Sequence, residues 1–487
     1  VNIRLLRLVS IFYLLLPNLL FYVFWTNQLI SIVAGVSFAS IAYFEIRDTR
    51  FSPDSILKTG ELIKIILCAS ILCLLSGVCG FAYQAFDYWA HNTKFFELFK
   101  HDWPIRIPST GPAIGYYYGY YVVPALFSKF TGHLCEGAIF VWTTLGISLG
   151  ICWLYISLGR KLRYALLVLT FGDLAHVCVS VLAKTGFTPY RFGDFGIEVW
   201  SNFENLFWVP NQLIPSLLIG GMLVYCLTER IDVERMVFPV VLSFWWAVFP
   251  AITSSVLLGI ILLKKWIKSG FPNRNFVNTV LLPCLLAIPV LLLFISHERQ
   301  AVAGFVWNFS GGFNGRMIEY LLNIVLNVAI SASVFAFLSK RKPLSTPVFP
   351  YYAVLGMMLL LPVFRIGKVN DFLFRGLMPL LIVAGFYVYQ FLPALDSGSN
   401  MIKKRAKVVL LVLLILNVSL AATRVMRAIQ INRLSAQLLP GSIAFRPVPY
   451  DTYPNVYEAL QAKWSQAEAD QYLGKAGSLY EIFIAPK

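Results

Sequence analysis

Two aspartates bracket one polar stretch of an otherwise apolar chain. Asp87 and Asp102 lie in FDYWAHNTKFFELFKHDWP (86–104), together with His91, Lys94, Glu97 and His101. A helix over 87–101 would set Asp87, His91 and the 94/98 positions on one face, because residues four apart are neighbours on a helix. A carboxylate at the end of a membrane helix can take the proton of a hydroxyl held at the membrane surface. Two carboxylates can divide the work between base and acceptor positioning, so Asp87 and Asp102 are both catalytic candidates. His91 and His101 are candidates for binding substrate. The plainer alternative is an amphipathic helix whose charges face water.

Three further polar loops carry residues suited to an anion or a sugar. RIGKVNDFLFR (365–375) sets Arg365, Lys368 and Arg375 around a helix start that Asn370 or Asp371 is placed to cap. A helix N-terminus with flanking cations is a ready phosphate site; the plainer reading is an Asp371–Arg375 ion pair one helical turn apart. SHERQAVAGFVWNFSGGFNGRMIEY (296–320) offers Arg299 and Arg316 with glycines that permit close backbone approach, without a P-loop pattern. The loop 183–210 mixes Arg191, Asp194, Glu198 and Glu204 with aromatics, a composition that suits sugar rings, or an aromatic belt at a membrane interface. Asp173 and His176 stand apart, three residues from one another within an apolar run, where ionisable groups are functional candidates by default.

The elements that must position these residues are membrane helices. Of 487 residues, 58% are hydrophobic and 13% charged, against about 25% charged in a soluble domain. Apolar runs predict about 13 spans, near 5–26, 28–45, 62–83, 136–157, 164–182, 211–227, 236–249, 250–263, 276–295, 321–338, 350–364, 376–394 and 408–424. The pair at 236–263 is short and has a broken hairpin around Pro250 as its alternative. The first apolar run has no small-residue cleavage site and reads as a retained helix. Assigning alternate loops to the cytoplasm gives 22 Lys+Arg inside against 11 outside, which puts the N-terminus inside and the four polar loops outside. That assignment needs GPAIGYYYGYYVVPALFSKF (111–130) to lie along the outer leaflet, its tyrosines at the interface, rather than cross. The fold expected is an all-α polytopic membrane protein with amphipathic outer-leaflet helices. Its parts would be N-terminal helices (1–61), a catalytic membrane body (62–424) and a small extracytoplasmic appendage (425–487), with a helix near 455–471 and a strand at 479–485. The net charge of +16 is spread between apolar runs and argues for membrane orientation, not nucleic-acid binding. The eight cysteines form no CxxC pair or Cys/His cluster, so no zinc site or disulfide framework is indicated, and they read as small buried residues.

This pattern resembles the GT-C superfamily of membrane glycosyltransferases. The resemblance rests on many spans, FDYWAHNTKFFELFKHDWP followed by YYYGYYVVPAL, and the later stretches NFENLFWVPNQLIPSLL (202–218) and NDFLFRGLMPLL (370–381). It covers roughly 62–395, and three predicted helices precede the loop where family members commonly have one. It implies transfer, with inversion and outside the cytoplasm, of a sugar from a polyprenyl phosphate or pyrophosphate to a glycan, lipid or protein acceptor, and residence in a bacterial inner membrane. The family's loop aspartate carries over to Asp87 first, with Asp102 as alternative, and its donor-phosphate contact to the arginines of 365–375. No Asp-Glu or Asp-x-Asp pair occurs in the stretch 86–108, which leaves divalent-metal dependence open and no cofactor assigned. Two rival readings are an O-antigen-type ligase or polymerase, through GGFNGRMIEY, and a lipid-linked sugar transporter or flippase, through Asp173 and His176.

Overall fold

The computed structural model describes residues 1–47, 56–185, 199–271, 276–299, 301–309, 312–340, 346–367, 370–395, 401–439, 441 and 445–486. The chain is mostly helical, and among the described residues nine helices are long and apolar enough to cross a membrane. They run Ile3–Phe24, Gln28–Arg47, Glu136–Ser157, Pro210–Thr228, Val248–Ser269, Val277–Ile295, Phe313–Ser339, Asp371–Tyr389 and Lys407–Gln430. Pro210–Thr228 and Asp371–Tyr389 are almost wholly enclosed by protein and pack on one another at the centre. Helices such as Gln28–Arg47 and Lys407–Gln430 leave most of their apolar surface uncovered, as lipid-facing helices do.

Nine of the 13 expected runs give such helices among the described residues, and the other four differ locally. The 236–263 pair is one long helix, Val248–Ser269, entered through the short helix Val237–Leu242; Pro250 sits in its first turn, where a missing N–H costs nothing. The 164–182 run is split into Leu162–Leu169 and Leu174–Lys184. Gly172, at φ +117°, makes the break in a conformation that side chains with a Cβ rarely adopt. The 62–83 and 350–364 runs give helices of 17 and 12 residues, Thr59–Leu75 and Phe349–Leu360.

The polar stretch forms the helix Tyr88–Lys100 as predicted, but not as a helix lying bare on a leaflet. It is packed between Gly119–Thr131 and the C-terminal helix Val456–Lys463, so even Lys94 and Glu97 are buried. The tyrosine-rich segment gives a helix of 13 residues, Gly119–Thr131, shorter than the roughly 20 a membrane helix needs. Its tyrosines are interior rather than interfacial, Tyr118 and Tyr121 being inaccessible, because their hydroxyls find protein partners. Tyr118 donates to Glu97 Oε1 at 2.7 Å, and Tyr120 pairs with Thr143 Oγ1 at 2.5 Å. At Gly119 the chain passes so close to Trp245 that a Cβ would lie 2.9 Å from its carbonyl oxygen.

The C-terminal segment is docked along its length. Gln84 accepts from the Val448 amide at 2.7 Å, Asn92 donates to the Val448 carbonyl at 2.6 Å, and Tyr480 donates to the Trp25 carbonyl at 2.6 Å. The helix expected near 455–471 is two short helices, Val456–Lys463 and Gln466–Asp470, each N-capped by its own side chain, Asn455 or Ser465. The strand expected at 479–485 is instead a wide helical turn, Tyr480–Ile484. The two strands among the described residues, Ala303–Phe305 and Phe364–Ile366, pair antiparallel and tie the 296–320 loop to the 365–375 loop. None of the eight cysteines is in a disulfide, and of them only Cys73, Cys152 and Cys226 are buried.

Glu97 joins three of these pieces, accepting from Tyr118 and, through Oε2, from the Val456 amide at 2.7 Å. Its loss would strand two buried donors, at a cost of about 1–3 kcal/mol each. Glu97→Ala should therefore loosen the C-terminal segment. Limited proteolysis should cut residues 445–486 faster than in the wild type, and equal cutting rates would refute the joining role.

Candidate functional site

A cavity of about 250 Å³ opens where five segments meet. Tyr88–Lys100 supplies Asp87, just before its first turn, and His91 and Lys94 from the face that helical spacing brings together. Tyr116 and Tyr117 form a second side. The others come from Trp200, Asn205 and Trp208, from the first turn of Asp371–Tyr389, and from the C-terminal segment with Trp464, Glu468 and Tyr472.

Arg375 is the central charge. Its guanidinium lies 2.8 Å from Asp371 Oδ1 and 3.6 Å from Asp87 Oδ2, and it donates to the Tyr117 hydroxyl at 2.9 Å. The same hydroxyl accepts from Gln212 at 3.1 Å, which anchors the arrangement to the central helix Pro210–Thr228. Neither Asn370 nor Asp371 acts as the expected cap. Asn370 holds the N-cap position in a left-handed conformation, φ +53°, without a capping side-chain bond, and Asp371 is the first helical residue. Asp87 likewise precedes its helix without capping it. Both carboxylates are therefore turned to Arg375 rather than to backbone amides.

The electrostatics follow from burial. Loss of water pushes the Asp87 carboxyl up to about 6, with Asp371 adding to the rise and Arg375 and Lys94 opposing it. Burial, reinforced by Arg375, brings the Lys94 ammonium down to about 7. Burial raises Glu97 to about 7 against the bonds from Tyr118 and Val456. His91 is held well below the usual imidazole range, first by burial and then by Lys94. Its Nε2 lies 2.8 Å from the Trp208 carbonyl, which can only accept, so Nε2 carries the proton; Nδ1 then accepts from Tyr121 Oη at 2.5 Å. With both nitrogens engaged, His91 braces the cavity wall rather than offering a base.

Of the other candidate residues that are described, the structure brings only Asp371 and Arg375 to this cavity. Asp102 and His101 are exposed past the end of the helix, where His101 Nε2 meets the Pro454 carbonyl at 3.2 Å. Arg299 pairs with Asp470 at 2.6 Å and Arg316 with Glu319 at 2.8 Å. Arg365 is buried over the Phe309 ring, 4.4 Å from its centroid, and donates to the Gly367 carbonyl. Arg191, Asp194, Glu198 and Lys368 lie outside the described residues. Glu204 is a structural anion. It takes the Trp208 indole N–H at 3.0 Å and a two-pronged contact from Arg424, tying this loop to Met401–Gln430. Asp173 accepts from the Ser201 amide at 2.7 Å and so fixes the backbone beside Trp200. Among the described residues no group of three or more His, Cys, Asp or Glu side chains is placed to hold a metal ion.

The aromatic lining is what residue-by-residue reading missed. Trp200 lies 4.8 Å from Phe374 and 5.6 Å from Trp208, Tyr116 lies 4.2 Å from Tyr472, and Trp464 packs on Phe86 at 4.7 Å, all centroid to centroid. The 183–210 loop and the tyrosine run signalled aromatic surfaces; nothing in the C-terminal sequence signalled that Trp464 and Tyr472 would join them.

Replacing Arg375 by Met removes the nearest positive charge from Asp87. The Asp87 carboxyl should then stay protonated to a higher pH than about 6. Infrared titration of the carboxylic-acid band, assigned by its loss in Asp87→Asn, reads this directly, and an unchanged midpoint would contradict the coupling. Comparisons with models of protein families, with characterised proteins and with solved structures found no match for this chain.

Proposed function

We propose that this membrane protein is a glycosyltransferase of the GT-C type, moving a sugar from a polyprenyl-phosphate-linked donor to a glycan, lipid or protein acceptor. The observation that carries the reading is the meeting of Asp87 and Arg375 in one aromatic-lined cavity. A proton-accepting carboxylate, a fixed cation and flat ring surfaces are what transfer from a sugar phosphate requires. With the N-terminus in the cytoplasm, as loop charge implies, the cavity opens on the extracytoplasmic side of a bacterial inner membrane.

In this mechanism Asp87 takes the proton of the acceptor hydroxyl as its oxygen attacks the anomeric carbon. The bond from that carbon to the phosphate oxygen breaks on the opposite face, and the polyprenyl phosphate leaves with the bonding electrons. The configuration is inverted. Arg375, held in place by Asp371 and Tyr117, stabilises the charge gathering on the leaving phosphate, at no cost in reorganisation. Tyr116, Tyr117 and Trp200 offer faces to the sugar ring. Asp102, exposed and outside the cavity, has no part. The ligase reading leaned on Arg316, which Glu319 engages, and the transporter reading on Asp173 and His176, of which Asp173 accepts from the Ser201 amide and His176 lies 5.8 Å from the Trp200 ring; none of the three lines the cavity.

Asp87→Asn should lower turnover by about 10²–10⁴-fold, the usual worth of a positioned base, while the lipid donor still binds. Asp102→Asn should turn over like the wild type. Wild-type activity in Asp87→Asn would sink the mechanism. Because the base must be ionised, kcat/KM should rise with pH through about 6 and lose that limb in Asp87→Asn.

A further inference from the structure

The mechanism leaves one wall of the cavity without a task. Phe86, Leu460, Trp464, Glu468 and Gln471 line the side where the C-terminal segment meets the start of Tyr88–Lys100. Phe86 immediately precedes Asp87 and is 45% exposed, so it is an open aromatic ring next to the base. Trp464 stands edge to face against it, ring centroids 4.7 Å apart. The cavity volume of about 250 Å³ lies below the range of about 300–1,000 Å³ usual for drug-sized ligands. Donor and acceptor are therefore not both enclosed. A hydroxyl that gives its proton to Asp87 comes within hydrogen-bond distance of it, and the rest of the acceptor extends outward beside Phe86 and Trp464.

The chemistry of this wall selects among acceptors. Flat rings stack on the C–H faces of sugars, while a carboxylate and an amide, here Glu468 and Gln471, exchange hydrogen bonds with hydroxyls. The lining holds the carboxylates Asp87, Asp371 and Glu468 against the cations Lys94 and Arg375, so an anionic acceptor would add to a negative excess. Nearby cations do not redress it. Arg299 is paired with Asp470 at 2.6 Å, the Lys463 ammonium lies 3.8 Å from the Trp89 ring centroid, and neither lines the cavity. A peptide acceptor is commonly held along an open strand edge. This wall is instead built from the short helices Val456–Lys463 and Gln466–Asp470 and the turn after them. Such irregular backbone is not tolerated against hydrocarbon, so the wall faces water rather than the lipid that would carry a lipid acceptor.

We infer that the acceptor is an uncharged saccharide, and that Phe86 and Trp464 form the subsite that stacks its ring at the cavity mouth beside Asp87. This rests on the transferase reading and deepens it by naming the acceptor class. The C-terminal segment then has a direct part in the reaction: it carries half of the acceptor subsite as well as closing the cavity. Stacking uses the C–H face that most neutral sugar rings share, so the subsite accepts several neutral sugars.

The test is saturation-transfer NMR on purified full-length protein. The probes are cellobiose, maltose, mannobiose and galactobiose, with acetyl-Ser-Ala-amide and dioleoylglycerol as the peptide and lipid rivals. At least one disaccharide should bind more tightly than both rivals, with saturation strongest on the C–H protons of one ring. Trp464→Ala should weaken that disaccharide about tenfold, the upper worth of one aromatic contact, and Trp464→Phe should keep most of the affinity. Phe86→Ala should also weaken it. That variant leaves the hydrogen bonds of the C-terminal segment in place, so it reads stacking even if Trp464→Ala displaces the segment. Binding of none of the four disaccharides, or tighter binding of the peptide or the diacylglycerol, overturns the acceptor class. Unchanged disaccharide affinity in Phe86→Ala and Trp464→Ala overturns the subsite. Either result, with turnover still lost in Asp87→Asn, leaves the transferase reading in place, whereas wild-type turnover in Asp87→Asn overturns that reading whatever the disaccharides do.

Discussion

A mostly buried guanidinium at the start of a central helix organises the site. Arg375 is 16% exposed at its side chain, too enclosed to keep its charge without partners. It has three: Asp371 on its own helix, Asp87 from the loop helix and Tyr117 from the tyrosine run. Those contacts set the distance between Asp371–Tyr389 and Tyr88–Lys100, and they bring a carboxylate with a raised proton affinity up to an aromatic-lined space. A fixed charge of this kind does two jobs. It stabilises the ionised form of Asp87 against burial, and it leaves one face of the guanidinium region available to a ligand.

The second constraint is closure. Over 445–486 the C-terminal segment has no helix longer than eight residues, yet it completes the cavity with Trp464 and Tyr472 and shields Glu97 from water. Its docking is by hydrogen bonds between main chain and buried side chains: Gln84 and Glu97 accept from amides, and Asn92 donates to a carbonyl. Such bonds are worth little singly and a good deal when their loss leaves buried groups unpaired. The outcome is a site built from pieces of the chain far apart in sequence. Its polarity depends on all of them being seated at once, because each withdraws water from the charges held by the others.

Ionisable residues in the neighbouring segments hold that shape. Glu204 joins Trp208 to Arg424, and Asp173 holds the Ser201 amide next to Trp200. His91 spans Tyr121 and the Trp208 carbonyl. Each was a candidate for chemistry from its residue type and position, and each helps to keep an aromatic wall in place. A buried polar group satisfied by protein is a brace.

What the sequence determined by itself was local. Apolar runs located most of the long helices, and i to i+4 spacing set Asp87, His91 and Lys94 on one face and Asp371 beside Arg375, because helical period is a property of a short stretch of chain. Loop composition marked the aromatic and charged segments but not their use. Only the tertiary structure decided that Asp87 meets Arg375 while Asp102, Arg299, Arg316 and Arg365 do not line the cavity. It also buried the tyrosines, and made a helical turn of the stretch at 479–485. The reason is physical. Which charges become partners depends on how helices pack and which water they expel, and those contacts are made between residues that no spacing rule connects.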